Sequence, residues 1–268
     1  MTPILRLGLV DDDDITLDVA ALELAALDHT GRDLAPYIDA VTVFAKRIAA
    51  VGGSARSAMG RSEALSAVLA QEYGFNGDRE TYEDSRNADL IAVLERRRGL
   101  PVALSILYTS AARRIGWAAD ILNTPGHVLV RLGPLTAPVV IDPFNRGQVV
   151  AQTQLARLVR QTQGRSSPLE VEHMAPMENR MVLVRLLTNQ AMRAEASGDL
   201  ARPLVLFERI TTIAPAYGYG WWERARLELR AGRVSAARDS LSAMLEMTRD
   251  TDMRVHISTV LDALAGAT

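Results

Sequence analysis

The chain has no cysteine. That absence excludes disulfides, thiolate metal sites, iron–sulfur clusters and a cysteine nucleophile supplied by the chain itself. Lysine is almost missing too: Lys46 is the only one among 30 basic residues. Arginine keeps the charge everywhere else, and a G+C-rich genome explains the bias without invoking function. Neither sign of charge dominates, since 30 basic and 32 acidic residues leave a formal net charge of -2. No global attraction to nucleic acid or to an anionic membrane is therefore expected. Long apolar runs are also lacking. A stretch such as 99-GLPVALSILY-108 falls well short of the ~18–20 residues that span a bilayer. The first residues, MTPILRLGLVDDDD, have neither the basic start nor the small-residue cleavage site of a signal peptide. A cytoplasmic location is expected.

What remains is the composition of a soluble globular protein, 48% apolar and 23% charged, over 268 residues. That length favours two domains. Residues 1–14 read as a loose lead-in whose aspartates, Asp11 to Asp14, are solvated or cap the next helix. Helical periodicity follows over 15–27, then 34–51 with Tyr37, Val41, Phe44 and Ile48 on one face, then 62–73. A turn-rich loop, 74-GFNGDRETYEDSRNAD-89, leads to Asp89 as the cap of a short helix, 90-LIAVLERRR-98. Pro101 then opens a helix that is apolar on most of its surface, which marks it as buried. Arg113 and Arg114 suit its last turn, and Gly116 stops it.

The period changes at this point. Residues 117-WAADIL-122, 127-HVLVRL-132 and 138-PVVID-142 are short, rich in β-branched residues and separated by turns. They read as a three-stranded antiparallel meander, and helices followed by strands make the first domain α+β. After Val150 the pattern loosens, and 161-QTQGRSSPLEVEHMAPMEN-179 reads as a connection in which His173 is a surface histidine. The expected boundaries are a first domain over 1–158, a linker over 159–179 and a second domain over 180–268.

The second domain carries a repeat. Gly198-Asp199 recurs as Gly232-Arg233, 34 residues later, and the same offset lays Pro203 on Ala237, Phe207 on Leu241 and Ile210 on Met244. This is the spacing of tetratricopeptide-like helical hairpins, with units at 181–214 and 215–248 and a closing helix near 253–264. Trp and Arg are common interface anchors, so Trp222 and Arg226 are candidate ligand-binding residues; packing and solvation are the plainer reading.

A thiol acyl-transfer enzyme places its nucleophile at a helix N-terminus, a histidine on a neighbouring strand and a carboxylate behind the imidazole. The chain supplies the helix at Gly99-Leu-Pro101, then His127 at a strand start, then Asp142 at the end of the next strand. The nucleophile position holds proline. The elements GFNGDRETY, LIAVLERRRGLPVALSILY, ARRIGW, NTPGHVLVR and IDPFNRG, in that order, resemble the transglutaminase-like core of the bacterial SirB-type family. That family fuses the core to C-terminal tetratricopeptide repeats. The resemblance implies a papain/transglutaminase-like core followed by an all-α repeat domain. It also implies that the triad Cys, His and Asp fall on Pro101, His127 and Asp142. A ring that can attack nothing then implies a non-catalytic descendant.

Two functions follow. One is a pseudoenzyme that binds a protein or peptide partner, with Arg98, Asn123 and His127 at the cleft, Arg96 and Arg97 beside them, and Trp222 and Arg226 on a second docking surface. The alternative is a hydrolase or acyltransferase using the hydroxyl of Ser105, one turn after Pro101, or a water activated by His127 and Asp142. In the first case His127 and Asp142 are a structural clip or line a binding cleft; Ser105 otherwise bonds its own helix carbonyl. His127 and Asp142 find no third ligand at a recognisable spacing, so no metal or other cofactor is expected. The oligomeric state is not legible.

Overall fold

A computed structural model of the chain describes residues 2–124, 127–163 and 175–265. Contacts gather into two compact units, residues 12–186 and residues 1–11 with 187–268.

The larger unit is built round one buried helix. Helices α1 (Pro3–Leu9), α2 (Leu17–Ala26), α3 (Ala35–Gly52), α4 (Ala58–Leu65) and α5 (Leu90–Arg96) lead in chain order to α6 (Pro101–Arg114), and all but α1 belong to this unit. Helix α4 runs on as a wider π-helical turn over Ser66–Glu72. Every residue of α6 from Pro101 to Ala112 is buried, which is the outcome a helix apolar on most of its surface requires. Helices α2, α3 and α5 and two strands of the sheet pack against it. Gly116, at φ +75°, takes the left-handed turn that ends it.

The sheet is antiparallel and has four strands rather than the expected three: β3 (Ala119–Leu122), β4 (Leu129–Leu132), β5 (Val139–Asp142) and β6 (Gln148–Val149), in that order. The extra strand is two residues long and carries no alternation, which is why the sequence does not announce it. Ahead of it in the chain, β1 (Asn76–Gly77) and β2 (Arg98–Gly99) make a separate parallel pair. Residues 15–27, 34–51, 90–98 and 101–115 are helical as expected to within two residues at most ends. Helix α4 starts four residues earlier than the periodicity suggests, at Ala58, where the Ser57 hydroxyl accepts from the Gly60 amide.

Two expectations for the connecting segments change. The lead-in is not loose: α1 packs against α9 (Arg202–Ile213) within the smaller unit to which both belong, and a β-carbon on Gly8 would lie 2.4 Å from the Thr212 carbonyl oxygen. Asp12 is not merely solvated, because its carboxylate accepts from the amides of Asn179 and Arg180. It caps α8 (Asn179–Ala196) across 167 residues of sequence. The stretch after Val150 is helical as far as Gln163, forming α7 (Gln152–Gln163). The rest of the expected connection up to 174, with His173, lies outside the described residues, as does the Pro125-Gly126 turn.

The second unit is all helical: α9, α10 (Gly218–Arg230), α11 (Val234–Met247) and α12 (Thr251–Ala265) pack in succession, with α1 against α9. Residues matched by the 34-residue offset share their environment. Pro203 and Ala237, Phe207 and Leu241, and Ile210 and Met244 are all buried, and Gly198 and Gly232 both have positive φ. The buried carboxylate of Glu228 is satisfied by Arg224 at 3.0 Å and by the Ser240 hydroxyl at 2.7 Å.

Candidate functional site

The entrance to α6 is held by a polar clip. The Leu100 amide donates to the Asn87 carbonyl at 2.8 Å, and Arg96 reaches Oδ1 of Asn87 and Oδ2 of Asp78, each at 2.9 Å. Asp78 also accepts from the amides of Glu80 and Thr81 and from the Thr81 hydroxyl. Burial pushes the Asp78 carboxyl up, but the Thr81, Asn87 and Arg96 donors prevail and hold it down at about 2. Arg96 is thus neither a solvated residue nor a rim of the cleft. Arg97, at φ +60°, lies over the rings of Tyr73 and Phe75. Arg97 and Arg98 are both exposed, and Arg98 pairs with Glu80 at 2.7 Å.

Fifteen residues apart in sequence, His127 and Asp142 meet. Nε2 of His127 lies 2.9 Å from Oδ2 of Asp142, whose side chain is 8% exposed. Asp142 ends β5 and caps the short turn Pro143–Asn145, accepting the Asn145 amide at 3.2 Å and its side-chain amide at 2.5 Å. Burial pushes this carboxyl up as well. The hydrogen bond and charge of His127, with both Asn145 donors, outweigh it and keep Asp142 below the ordinary carboxylate range. Arg79 extends the chain of contacts by donating to Oδ1 of Asn145. Phe144 supplies the apolar wall: Arg79 sits over its ring, and Tyr82 and His127 meet it edge-on.

The arrangement fixes an imidazole with its Nε2–H toward a carboxylate, which leaves Nδ1 as the nitrogen able to exchange a proton. A nucleophile for it is another matter. Pro101 occupies the first position of α6. Among the described residues no hydroxyl hydrogen-bonds His127. Ser105 is fully buried, and its Oγ has no hydrogen-bond partner among the described residues, so it does not bond its helix carbonyl as expected. The hydroxyls of Tyr108, Thr109 and Ser110 on the same helix are equally bare. Asn123 is exposed and accepts from Arg185 at 3.2 Å. Neither Asn123 nor Arg98 hydrogen-bonds the His127–Asp142 pair. No group of three or more His, Asp or Glu side chains suited to a metal ion occurs among the described residues.

Residues 35–188 match the family model of the transglutaminase-like superfamily. The chain belongs to that superfamily. Its relatives include a UPF0162 protein of Xylella fastidiosa (strain 9a5c), 29% identical over 258 residues that cover 94% of this chain and 92% of that protein. A UPF0162 protein of Vibrio cholerae is 33% identical over 144 residues, 52% of this chain and 53% of that one. Human F-box only protein 21 is 31% identical over 107 residues, 37% of this chain but 17% of the larger protein. Kinship with the Xylella fastidiosa protein therefore runs through the C-terminal helices as well as the transglutaminase-like core.

In the helical unit of this transglutaminase-like chain, Trp222 and Arg226 line a groove of about 350 Å³ with Leu229, Leu241, His256 and Val260. Trp222 stacks at a tilt on His256, with ring centres 5.2 Å apart. Arg226 is fully engaged, by Glu195 through two bonds and by Glu223. Trp221, partly buried, packs against the helical core and donates to the Pro215 carbonyl at 2.8 Å.

Sequence reasoning missed Arg79, Asn145, Phe144, Tyr108 and the Asp78–Arg96 clip. Asn145 had a signal: an Asp-Pro step with Asn three residues after the Asp is turn chemistry. The others meet their partners only through the tertiary fold.

Proposed function

We propose that this transglutaminase-like protein is non-catalytic and acts in the cytoplasm as a binding module for a protein or extended peptide. Its C-terminal helices serve as tetratricopeptide-type repeats that present a second docking surface around Trp222. The observation that carries the reading is Pro101: the helix start where the family pattern puts a sulfur nucleophile has no side-chain nucleophile, in a chain without cysteine. The bare, fully buried Ser105 supports it, since a hydroxyl without a base within hydrogen-bonding reach is a weak nucleophile. On this reading the 34-residue offset and the matching burial of its paired positions are the mark of stacked helical hairpins.

A second reading keeps the assembled His127–Asp142 pair as its support. With Asp142 ionised behind the ring, Nδ1 is able to take a proton from a water, which would make the protein a hydrolase without a covalent intermediate. One pair of assays separates the two. The chain is treated with a fluorophosphonate acyl-type probe and, separately, with an activated ester, each alongside Ser105→Ala and His127→Ala. No labelling and no His127-dependent turnover are expected. Labelling lost in Ser105→Ala, or turnover lost in His127→Ala, would overturn the non-catalytic reading.

A further inference from the structure

The two edges of the four-stranded sheet differ. The outer edge of β3 is covered by the chain itself: the Asn123 amide donates to Ala175, the Met177 amide donates to Ile121, and Leu122 bridges Pro176. The other edge, β6, has no strand beyond it among the described residues, and Val149 on it is 43% exposed. An uncovered edge strand is a template for another strand. Beside it runs a cleft of about 300 Å³ lined by Asp142, Gln148, Val149, Gln154, Arg157 and Leu158.

The segment that bounds this cleft after Asp142 carries charge of one sign. From Pro143 to Gln163 the chain contains Arg146, Arg157 and Arg160 and not one Asp or Glu. The Asp142 carboxylate is committed to His127 and Asn145. Arg157 lines the cleft with no ion pair among the described residues. Gln154 spends its carbonyl oxygen on the Ala151 amide, at the start of α7, which leaves its NH2 as a donor. A free donor and a guanidinium with no ion pair among the described residues, beside an open strand, favour a guest that is both extended and anionic. A small anion alone would leave the strand edge and the apolar side chains of Val149 and Leu158 unused.

We propose that an acidic peptide segment adds to β6 as a fifth strand, with a carboxylate facing Arg157. This rests on the peptide-binding reading given above and names the site and the chemistry of the guest. Main-chain pairing would supply the affinity, and the carboxylate–guanidinium contact the selectivity.

The test is an NMR titration of the full ¹⁵N-labelled chain with a capped hexapeptide alternating threonine and glutamate, its glutamine and lysine counterparts, and sodium acetate. The glutamate peptide is expected to shift the amides of Gln148, Val149 and Arg157, and the glutamine peptide to bind at least tenfold more weakly. Arg157→Glu, a change at an exposed site, should lose the glutamate peptide and gain the lysine one. Equal binding of glutamate and glutamine peptides overturns the proposal, as does acetate reproducing the shifts. So do the same shifts on simple protein concentration, which would put a second copy of the chain on the edge. Shifts confined to the Trp222 groove overturn this site but leave the peptide-binding reading standing, whereas failure of the non-catalytic reading shows in the acyl-probe assay instead.

Discussion

A β-carbon on Gly77 would stand 2.5 Å from the ring of Phe144, inside any permitted contact. The two residues lie on β1 and on the turn after β5, so glycine here lets the loop that carries Asp78 and Arg79 close onto the turn that carries Asn145. Gly77→Ala must push either the ring or the strand. A cost of about 1–3 kcal/mol is expected, the range for overpacking a close-fitted site. Urea denaturation measures it, and an unchanged midpoint would mean that the ring moves freely and the contact is incidental.

Tyr108 poses the reverse question, a group present where none is needed. Its ring is fully buried on α6, but its hydroxyl finds no hydrogen-bond partner among the described residues. Burial and the charge of Asp142 push its acidity far below the ordinary tyrosine range, so the proton stays on. Removing an unsatisfied buried hydroxyl relieves its desolvation penalty. Tyr108→Phe should therefore be neutral to stabilising, by up to about 1 kcal/mol. A thermal midpoint that falls instead would reveal an ordered water bonded to that oxygen.

The elements that could be read from the sequence are those whose signals are local. Helix α6 announces itself by an apolar surface closed by Pro101 and Gly116, and the strands by alternation between turns. His127 and Asp142 were legible as a pair because the chemistry of an imidazole and a carboxylate constrains where each must sit. Strand β6 is too short to show a period. Asp12 gives no sign that it caps α8, since a cap supplied from 167 residues away leaves no local spacing to read. Arg96 and Arg98 look alike in a run of three arginines, yet one closes a buried clip on Asp78 and the other pairs with Glu80 in solvent. Only packing tells them apart.

Asp78 makes the stability depend on acid. Its carboxyl falls from 3.8 to about 2 on folding. A carboxyl depressed in the folded state stabilises above its unfolded value, and that contribution disappears as pH drops through the folded one. The contribution is complete above roughly pH 5, shrinks between pH 4 and pH 2, and amounts to roughly 2 kcal/mol at neutral pH. Asp78→Asn should lower the unfolding free energy at pH 7 and flatten the acid limb of its pH profile relative to the parent chain. Parallel acid limbs for the two proteins would show that the Arg96 and Thr81 contacts do not hold the carboxylate.

Pro101 allows the vanished chemistry to be tested directly, because a cysteine placed there would be the only thiol in the chain. Proline at the first turn donates no needed hydrogen bond, so Pro101→Cys should fold. A sulfur at the start of α6 feels the positive end of the helix, and an imidazole in reach stabilises the thiolate further. The pH dependence of alkylation by iodoacetamide should then have its midpoint below the ~8.5 of a free thiol. Adding His127→Ala should move the midpoint upward while leaving the helix contribution in place. If the single and double variants titrate alike, position 101 does not face the His127–Asp142 pair. The proline would then be a helix start and nothing more, and its use as evidence for a lost nucleophile would fail with it.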